Sequence, residues 1–296
     1  MRGRRAPAAA RAARFTTVCR QPVQTTFGAA IWVPFESTRT SGEDGGLGGP
    51  RVIVVVGMAF EARIVADAGV RVICSGDGRN LAATLARAID ADCGGLISFG
   101  VAGGLDPDLP PGTCIVASEV VSGSTRVPTD TGWSRKLTDT IPDAVAGPIV
   151  GVPAPIAHAG AKRALHQRTG ALAVDMESHI VAGVAAAHGL PVAALRVITD
   201  PAERTLPRAA LAAMRPNGTT DILAVLGEVL RRPRELPALM RTALDARAAR
   251  ATLVRGRRLL GPGLGLIDVP APIGSDTAVS ELIDTAPPAA ACPVTP

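Results

Sequence analysis

Residues 51–56, RVIVVV, form an unbroken β-branched run that stops at Gly57. A strand that is apolar on both faces must be covered on both faces. That requirement points to a parallel or mixed sheet with helices packed against each side. The same signal returns along the chain. GVRVIC (69–74) is a second strand, followed by an SGDG turn, and LAATLARAI (81–89) has helical spacing. GGLISF (94–99) is another buried strand running into a glycine loop, and GTCIVASEVV (112–121) is a further one. HAGAKRALHQRTG (158–170) reads as a helix closed by Gly170, ALAV as a short strand, ESHIVAGVAAAHGL as a helix stopped at Gly189, and PVAALRVITD (191–200) as a strand. Strands that alternate with helices predict a three-layer α/β/α sandwich around a mixed central sheet. Residues 121–153 give only weak signals.

The pattern sets the expected organisation. Residues 1–49 lack periodicity and end in SGEDGGLGGP, so they are expected to be a disordered extension. A catalytic domain over 50–232 follows, then a basic helical extension over 233–268, with helices expected near 207–214, 219–231 and 235–256. The Pro/Ala-rich stretch 269–296 is expected to be disordered.

Composition excludes several function classes. Hydrophobic residues make up 47% of the 296 residues but aromatics only 2%, with no tyrosine, so the core rests on Val, Leu, Ile and Ala. With so few rings to stack on bases, the net charge of +5 is poor support for nucleic-acid binding, and no nucleic-acid partner is expected. Cys19, Cys74, Cys93, Cys114 and Cys292 lie far apart, without CxxC or nearby histidine, so neither a zinc site nor a disulfide framework is expected. The N-terminal MRGRRAPAAARAARF begins basic, but Arg11 and Arg14 interrupt any apolar segment of a secretory signal. No apolar run reaches the roughly 18 residues of a membrane span. A cytoplasmic location is expected.

In open α/β sheets ligands bind beyond the carboxyl ends of strands. Four such ends here carry suggestive residues: Gly57 to Glu61, Ser98 to Gly104, Asp175-Met176-Glu177, and Thr199-Asp200. Three present carboxylates and the fourth presents bare backbone, which suits a polar, uncharged ligand. Each also has a plainer explanation: a carboxylate favours a helix N-terminus, and Asp-Pro opens turns. Their joint occurrence at successive strand ends favours function.

The MxxE after the first strand, the SG-x-G turn, the G-x-A-G-G loop, the VDME junction and the final strand ending in Thr-Asp together resemble the purine nucleoside phosphorylase superfamily. Over about residues 51–231 they look closest to the 5′-methylthioadenosine/S-adenosylhomocysteine nucleosidases. The stretches DPAERTLPRAALAAMRPNGTTD and RRLLGPGLG resemble the hopanoid-biosynthesis-associated phosphorylase branch, thought to remove adenine from adenosylhopane. The resemblance implies cleavage of a purine N-glycosidic bond through an oxocarbenium-like sugar. It implies Asp200 as the general acid toward purine N7 and Glu61 as the residue that orients and deprotonates water. Glu177 would accept from the ribose hydroxyls, and Met176 would pack on sugar or base. Val101, Ala102 and Gly103 would let backbone approach the base, with Phe99 and Thr199 beside them. Asp175 reads as orienting its neighbours. No cofactor or metal is implied, only inorganic phosphate as co-substrate if the enzyme is a phosphorylase. A homo-oligomer is implied.

Glu61 stands where the phosphorylases carry arginine, and Val101 where their glycine loop carries a phosphate ligand, so the residues favour hydrolysis. Arg63, Arg79, Arg126 and Arg204 remain as candidate phosphate ligands. The stretch Val152 to Ile156 lacks the aromatic that the nucleosidases place against adenine, which leaves room for a 5′ substituent other than methylthio. His179, one turn into the helix after Glu177, is a further pocket candidate. Residues 231–258 hold nine arginines against Glu235 and Asp245, interleaved with Leu236, Leu239, Met240, Leu244 and Leu253. Such a helix suits either a solvated arginine face or peripheral contact with an inner membrane.

Overall fold

The computed structural model describes residues 51–66, 70–75, 80–212 and 222–266. The N-terminal extension, the SGDG glycines with Arg79, and the Pro/Ala-rich tail lie outside them. In chain order the elements are β1 (Arg51–Val56), α1 (Ala59–Val65), β2 (Arg71–Cys74), α2 (Leu81–Ala88), β3 (Cys93–Gly104), β4 (Cys114–Ser122) and β5 (Thr125–Pro128). Then come α3 (Thr131–Thr140), β6 (Val145–Gly151), α4 (Ala159–Thr169), β7 (Ala173–Asp175), α5 (Ser178–Ala187) and β8 (Val192–Asp200). The chain closes with α6 (Arg208–Ala212), α7 (Ile222–Arg231) and the long α8 (Leu236–Leu260), each of the last two followed by a short 3-10 turn.

The alternation in β1 shows why its run had to be apolar throughout. Val52, Val54 and Val56 enter one core cluster, with Val65, Trp133, Leu137, Ala249 and Leu253. Ile53 and Val55 enter another, with Leu81, Leu85, Val181 and Ala185. Successive side chains point to opposite faces, so α2 and α5 cover one face while α1, α3 and α8 cover the other. The fold is a mixed α/β fold with a central mixed sheet and helices around it.

The sheet runs β2-β1-β3-β7-β6-β4-β5, and β8 bridges β3 and β4. Strands β3, β7, β6, β4 and β8 therefore close a ring through five ladders, three parallel and two antiparallel. Closure removes edges along this circuit, leaving β2 and β5 at the ends of the path.

Three features differ from the sequence reading. The expected glycine loop at 100–104 is the end of β3, in register with β8 from Leu96↔Val192 to Ala102↔Ile198 and then, past a shift of one residue, pairing Gly103 with Asp200. Its glycines are strand residues because neighbouring side chains fill the space a Cβ would need. The weak segment 121–153 contains β5, α3 and β6. Helix α3 is capped by Asp130, whose carboxylate accepts from Trp133 N at 2.7 Å, and it buries Trp133 and Leu137 one turn apart. The basic extension is also no appendage. Helix α8 buries Ala249, Leu253 and Leu260 in the main core, and the Trp133 indole donates to Leu264 O at 2.9 Å. Each fully buried leucine there is worth about 1.5–3 kcal/mol.

Candidate active site

The expected site residues fall into two groups on either side of the β3 terminus. The first is centred on a residue the sequence reading did not single out. Arg196, in the middle of β8 and fully buried, meets Asp175 Oδ2 at 2.5 Å and Glu177 Oε2 at 3.2 Å. Its Nη2 also donates to Ser98 Oγ at 2.5 Å. Burial alone would lower its pKa, but the carboxylates of Asp175, Glu177 and Glu61 more than reverse this, so the guanidinium is charged. Its Nε–H has no partner among the described residues. The signal for it was present: one arginine inside the otherwise apolar strand PVAALRVI needs a buried counter-charge.

Glu61 lies one turn into α1 yet is buried. Its Oε2 accepts from the N–H of Gly57 (2.9 Å) and Met58 (2.8 Å), and Oε1 accepts from Val101 N at 2.8 Å. The carboxylate thereby ties the start of α1 to β3. Burial pushes its pKa up, against the pull of Arg196 and these three N–H groups. Gly100 makes this approach possible: its φ of 153° disfavours any side chain, and a Cβ there would collide with the Glu61 carboxyl.

Glu177 stands at the start of α5, buried, with Ser75 Oγ donating to Oε1 at 3.4 Å. Burial, with Asp175 and Glu61 nearby, raises its pKa to about 7 despite Arg196. A Cβ on Gly57 would come within 2.7 Å of Glu177 Oε1, so β1 must be followed by glycine for this carboxylate to fit. Asp175 binds Arg196 and accepts from both the backbone N–H and the hydroxyl of Ser178. Met176 is half-buried between these acids. His179 has a buried, unpartnered Nδ1 among the described residues, and burial lowers its pKa.

The second group lies at the end of β8. Asp200 is buried and paired with Lys162 of α4. Thr199 Oγ1 bridges to Ala102 O (3.2 Å) and Asp200 Oδ1 (3.1 Å). Burial raises the Asp200 pKa while the Lys162 ammonium opposes it. Glu61 is bonded to Val101, and Gly103 pairs with Asp200. Two residues of strand, roughly 7 Å, separate these two positions on β3.

The profile of the phosphorylase superfamily matches residues 51–231, so it spans every element that carries these side chains. The chain belongs to the phosphorylase superfamily. No functionally curated protein matches it significantly in sequence. Among solved structures, a 5′-methylthioadenosine/S-adenosylhomocysteine nucleosidase from Colwellia psychrerythraea 34H, in complex with adenine, superposes with a TM-score of 0.50 at 18% identity, over 61% of this chain and 96% of that one. Futalosine hydrolase of Helicobacter pylori strain 26695 gives 0.49 at 17%, over 60% and 98%. The 5′-methylthioadenosine/S-adenosylhomocysteine nucleosidase from S. pneumoniae, with a transition-state inhibitor, gives 0.49 at 15%, over 71% and 99%. At these identities the likeness is one of fold.

Within this superfamily domain Val101, Ala102 and Gly103 lie along the strand between the two groups, with Ala102 buried. Phe99 does not join them. It is fully buried in the main core cluster with Val54, Val197 and Leu195, so its ring serves packing instead of a base. Of the candidate phosphate arginines, three lie among the described residues; only the charge of Arg204 acts on Asp200, and its guanidinium is already engaged. Arg63 is exposed, Arg126 pairs with Glu119 at 2.5 Å, and Arg204 is engaged by Asp245 of α8. No cluster of three or more His, Cys, Asp or Glu side chains suited to a metal occurs among the described residues.

Proposed function

We propose that the protein hydrolyses the N-glycosidic bond of a 5′-substituted adenosine and releases adenine. The observation that carries this is the pairing of two acid groups across one strand, in a chain of this superfamily. Glu61, Glu177 and Asp175 gather around Arg196 on one side, and Asp200 is paired with Lys162 on the other. As the C1′–N9 bond breaks, its electron pair leaves with the purine and Asp200 protonates N7. Water adds to C1′ and gives its proton to Glu61, while Glu177 accepts from the ribose hydroxyls and Met176 packs beside them. Thr199 holds Asp200 in place.

The same electrostatics favour water over phosphate. Three carboxylates face a single guanidinium, and that guanidinium is already engaged by two of them. A unit of like charge at 4 Å costs about 4 kcal/mol at an effective dielectric of 20, and a phosphate dianion carries nearly two. Purified protein incubated with methylthioadenosine, with and without phosphate, tests this. Equal adenine release and a free ribosyl product are expected. A sugar 1-phosphate formed only with phosphate refutes hydrolysis, and no adenine release from any 5′-substituted adenosine refutes an enzyme altogether.

The finer reading of the substrate is adenosylhopane. It is supported by the resemblance of 200–221 and 257–265 to the hopanoid branch, and by the surface of α7 and α8. Leu230, Leu236, Met240 and Leu244 are exposed there, with Arg231, Arg232, Arg234 and Arg241 among them. Leu236, Met240 and Leu244 recur every four residues and so share one helix face. An apolar stripe with an arginine rim fits peripheral contact with an anionic membrane, where a lipid-linked nucleoside would be found. No helix among the described residues is long and apolar enough to cross a membrane. Assembly as a homo-oligomer is part of this proposal and is read by light scattering of the detergent-free protein.

A further inference from the structure

Only two of the 31 basic Lys/Arg residues in this chain are lysine, Lys136 and Lys162. Lys136 is exposed, whereas Lys162 is fully buried. Helix α4 places it there: Lys162, Leu165 and Thr169 share the face that packs inward. A lysine at a core-facing position of a helix needs acceptors for its charge. Three converge on Nζ: Asp200 Oδ2, Pro201 O at 2.9 Å and Arg204 O at 3.2 Å. Three acceptors require three N–H donors, so this is an ammonium and not an amine. Three acceptors around a single atom also explain why lysine survives in an arginine-rich chain. A compact, rotatable –NH3⁺ meets them, and a planar guanidinium with its donors spread over three nitrogens does not.

We propose that Lys162 is the positioning residue of the leaving-group acid: its ammonium fixes Asp200 Oδ2 and supplies the counter-charge for the carboxylate that Asp200 becomes on protonating the purine. This rests on the reading of Asp200 as that acid. When the C1′–N9 electron pair moves onto the base, the Asp200 proton passes to N7 and a full negative charge is left on a buried carboxylate. Without a cation beside it, that charge opposes the step. The other positive charge acting on Asp200, that of Arg204, is weaker in its effect and already paired with Asp245. With Lys162 in place, the charge forms next to an ammonium already oriented by two backbone carbonyls. No solvent needs to rearrange. The proton returns to Asp200 from water after adenine leaves. Lys162 itself neither touches substrate nor gives up its proton.

The two effects of the ammonium have separable signatures. It lowers the pKa of Asp200, so it narrows the pH range in which the acid is protonated. It also stabilises the conjugate base, so it speeds the transfer itself. Lys162→Met keeps the aliphatic stem and removes the charge. Its alkaline limb of kcat/KM should move up by about 1–3 pH units, the effect of an opposite charge at this distance. The kcat at the optimum should fall about tenfold or more, with KM unchanged. Lys162→Gln, which keeps an N–H toward Oδ2, should move the limb in the same way with a smaller loss. Asp200→Asn is run beside them. If that variant is inactive and folded Lys162→Met keeps the wild-type limb, the inference about Lys162 is wrong and the acid assignment stands. If Asp200→Asn keeps wild-type activity, the acid assignment itself fails.

A measurement on the wild-type enzyme guards against variants that do not fold. With only two lysines, ¹⁵N-lysine labelling gives two side-chain signals. The Lys162 Nζ signal should remain that of an ammonium across the active pH range and should move at the pH of the alkaline limb, as Asp200 changes charge. A neutral amine within the active range overturns the proposal.

Discussion

Replacing Arg196 by methionine tests the electrostatic architecture of the site without reference to any substrate. Methionine fills most of the volume but leaves Asp175, Glu177 and Glu61 without their shared cation. Arg196 is about 1% exposed and makes contacts of 2.5 Å and 3.2 Å to two of these acids. Removing one member of a pair buried this deeply costs about 3–5 kcal/mol, against a total stability on the order of 5–15 kcal/mol. The loss should depend on pH, with a sign set by the direction in which the acids are perturbed. Glu61 and Glu177 already titrate above their ordinary 4.5, Glu177 at about 7, and Arg196 is what holds them down. A carboxyl raised by folding contributes stability below its unfolded value and loses it as pH rises through its folded value. Removing Arg196 raises both groups further, so the variant should fall further below wild type at pH 8 than at pH 5. Each further tenfold gain in proton affinity adds about 1.4 kcal/mol to that deficit. Urea unfolding at pH 5, 6.5 and 8 reads this directly. A deficit below about 1 kcal/mol, or one that is the same at all three pH values, refutes this account of how the acids are held.

Gly100→Ala should destabilise by about 1–3 kcal/mol, from backbone strain at φ 153° and the clash with the Glu61 carboxyl, and should depress kcat more than it raises KM. An unchanged melting temperature would show that Glu61 is free to move aside. Glu177→Gln should lower kcat/KM for methylthioadenosine by at least about tenfold, the scale of a lost hydrogen bond to a charged acceptor of about 1.5–3 kcal/mol; substrates lacking a ribose hydroxyl should lose less. Leu236→Glu, Met240→Glu and Leu244→Glu together should abolish sedimentation with anionic vesicles while sparing adenine release from a soluble nucleoside. Vesicle binding that survives these changes places the contact elsewhere. Point changes are the right tool here, because deleting 233–268 would remove Leu253 and Leu260 from the core.

Much of the fold could be read from the chain because most of its strands are apolar runs and several stop at glycine. Gly170 and Gly189 both end helices with positive φ, as their positions imply. The candidate site residues drew notice where carboxylates interrupt apolar runs, at Glu61, Glu177 and Asp200, and the structure buries all three. The parts that escaped are long-range. Ring closure depends on β7 pairing antiparallel to β3 across some 70 residues, and two paired positions leave no local trace. The residues 100–104 look like a loop from their glycines, yet those glycines answer to Glu61 and Asp200, which approach from other elements. Arg196 is a lone cation in an apolar strand, whereas Lys162 stands among the other basic residues of α4 and is set apart only by its place on the inward face. Their partners lie 19 to 38 positions away, so the sequence signals a buried charge without naming what balances it.

The place of α8 in the main core bears on how the protein is made. The superfamily segment ends at residue 231, but Trp133, Ile141 and Val197 share their cluster with Ala249, Leu253, Leu260 and Leu264. A chain emerging from the ribosome therefore holds a nearly complete sheet with one apolar face covered by α1 and α3 but still lacking α8. Until the last turn of α8 follows, the rest of that face is open to chaperones or to another nascent chain. Premature termination anywhere between 232 and 260 should yield aggregates and not a smaller working enzyme.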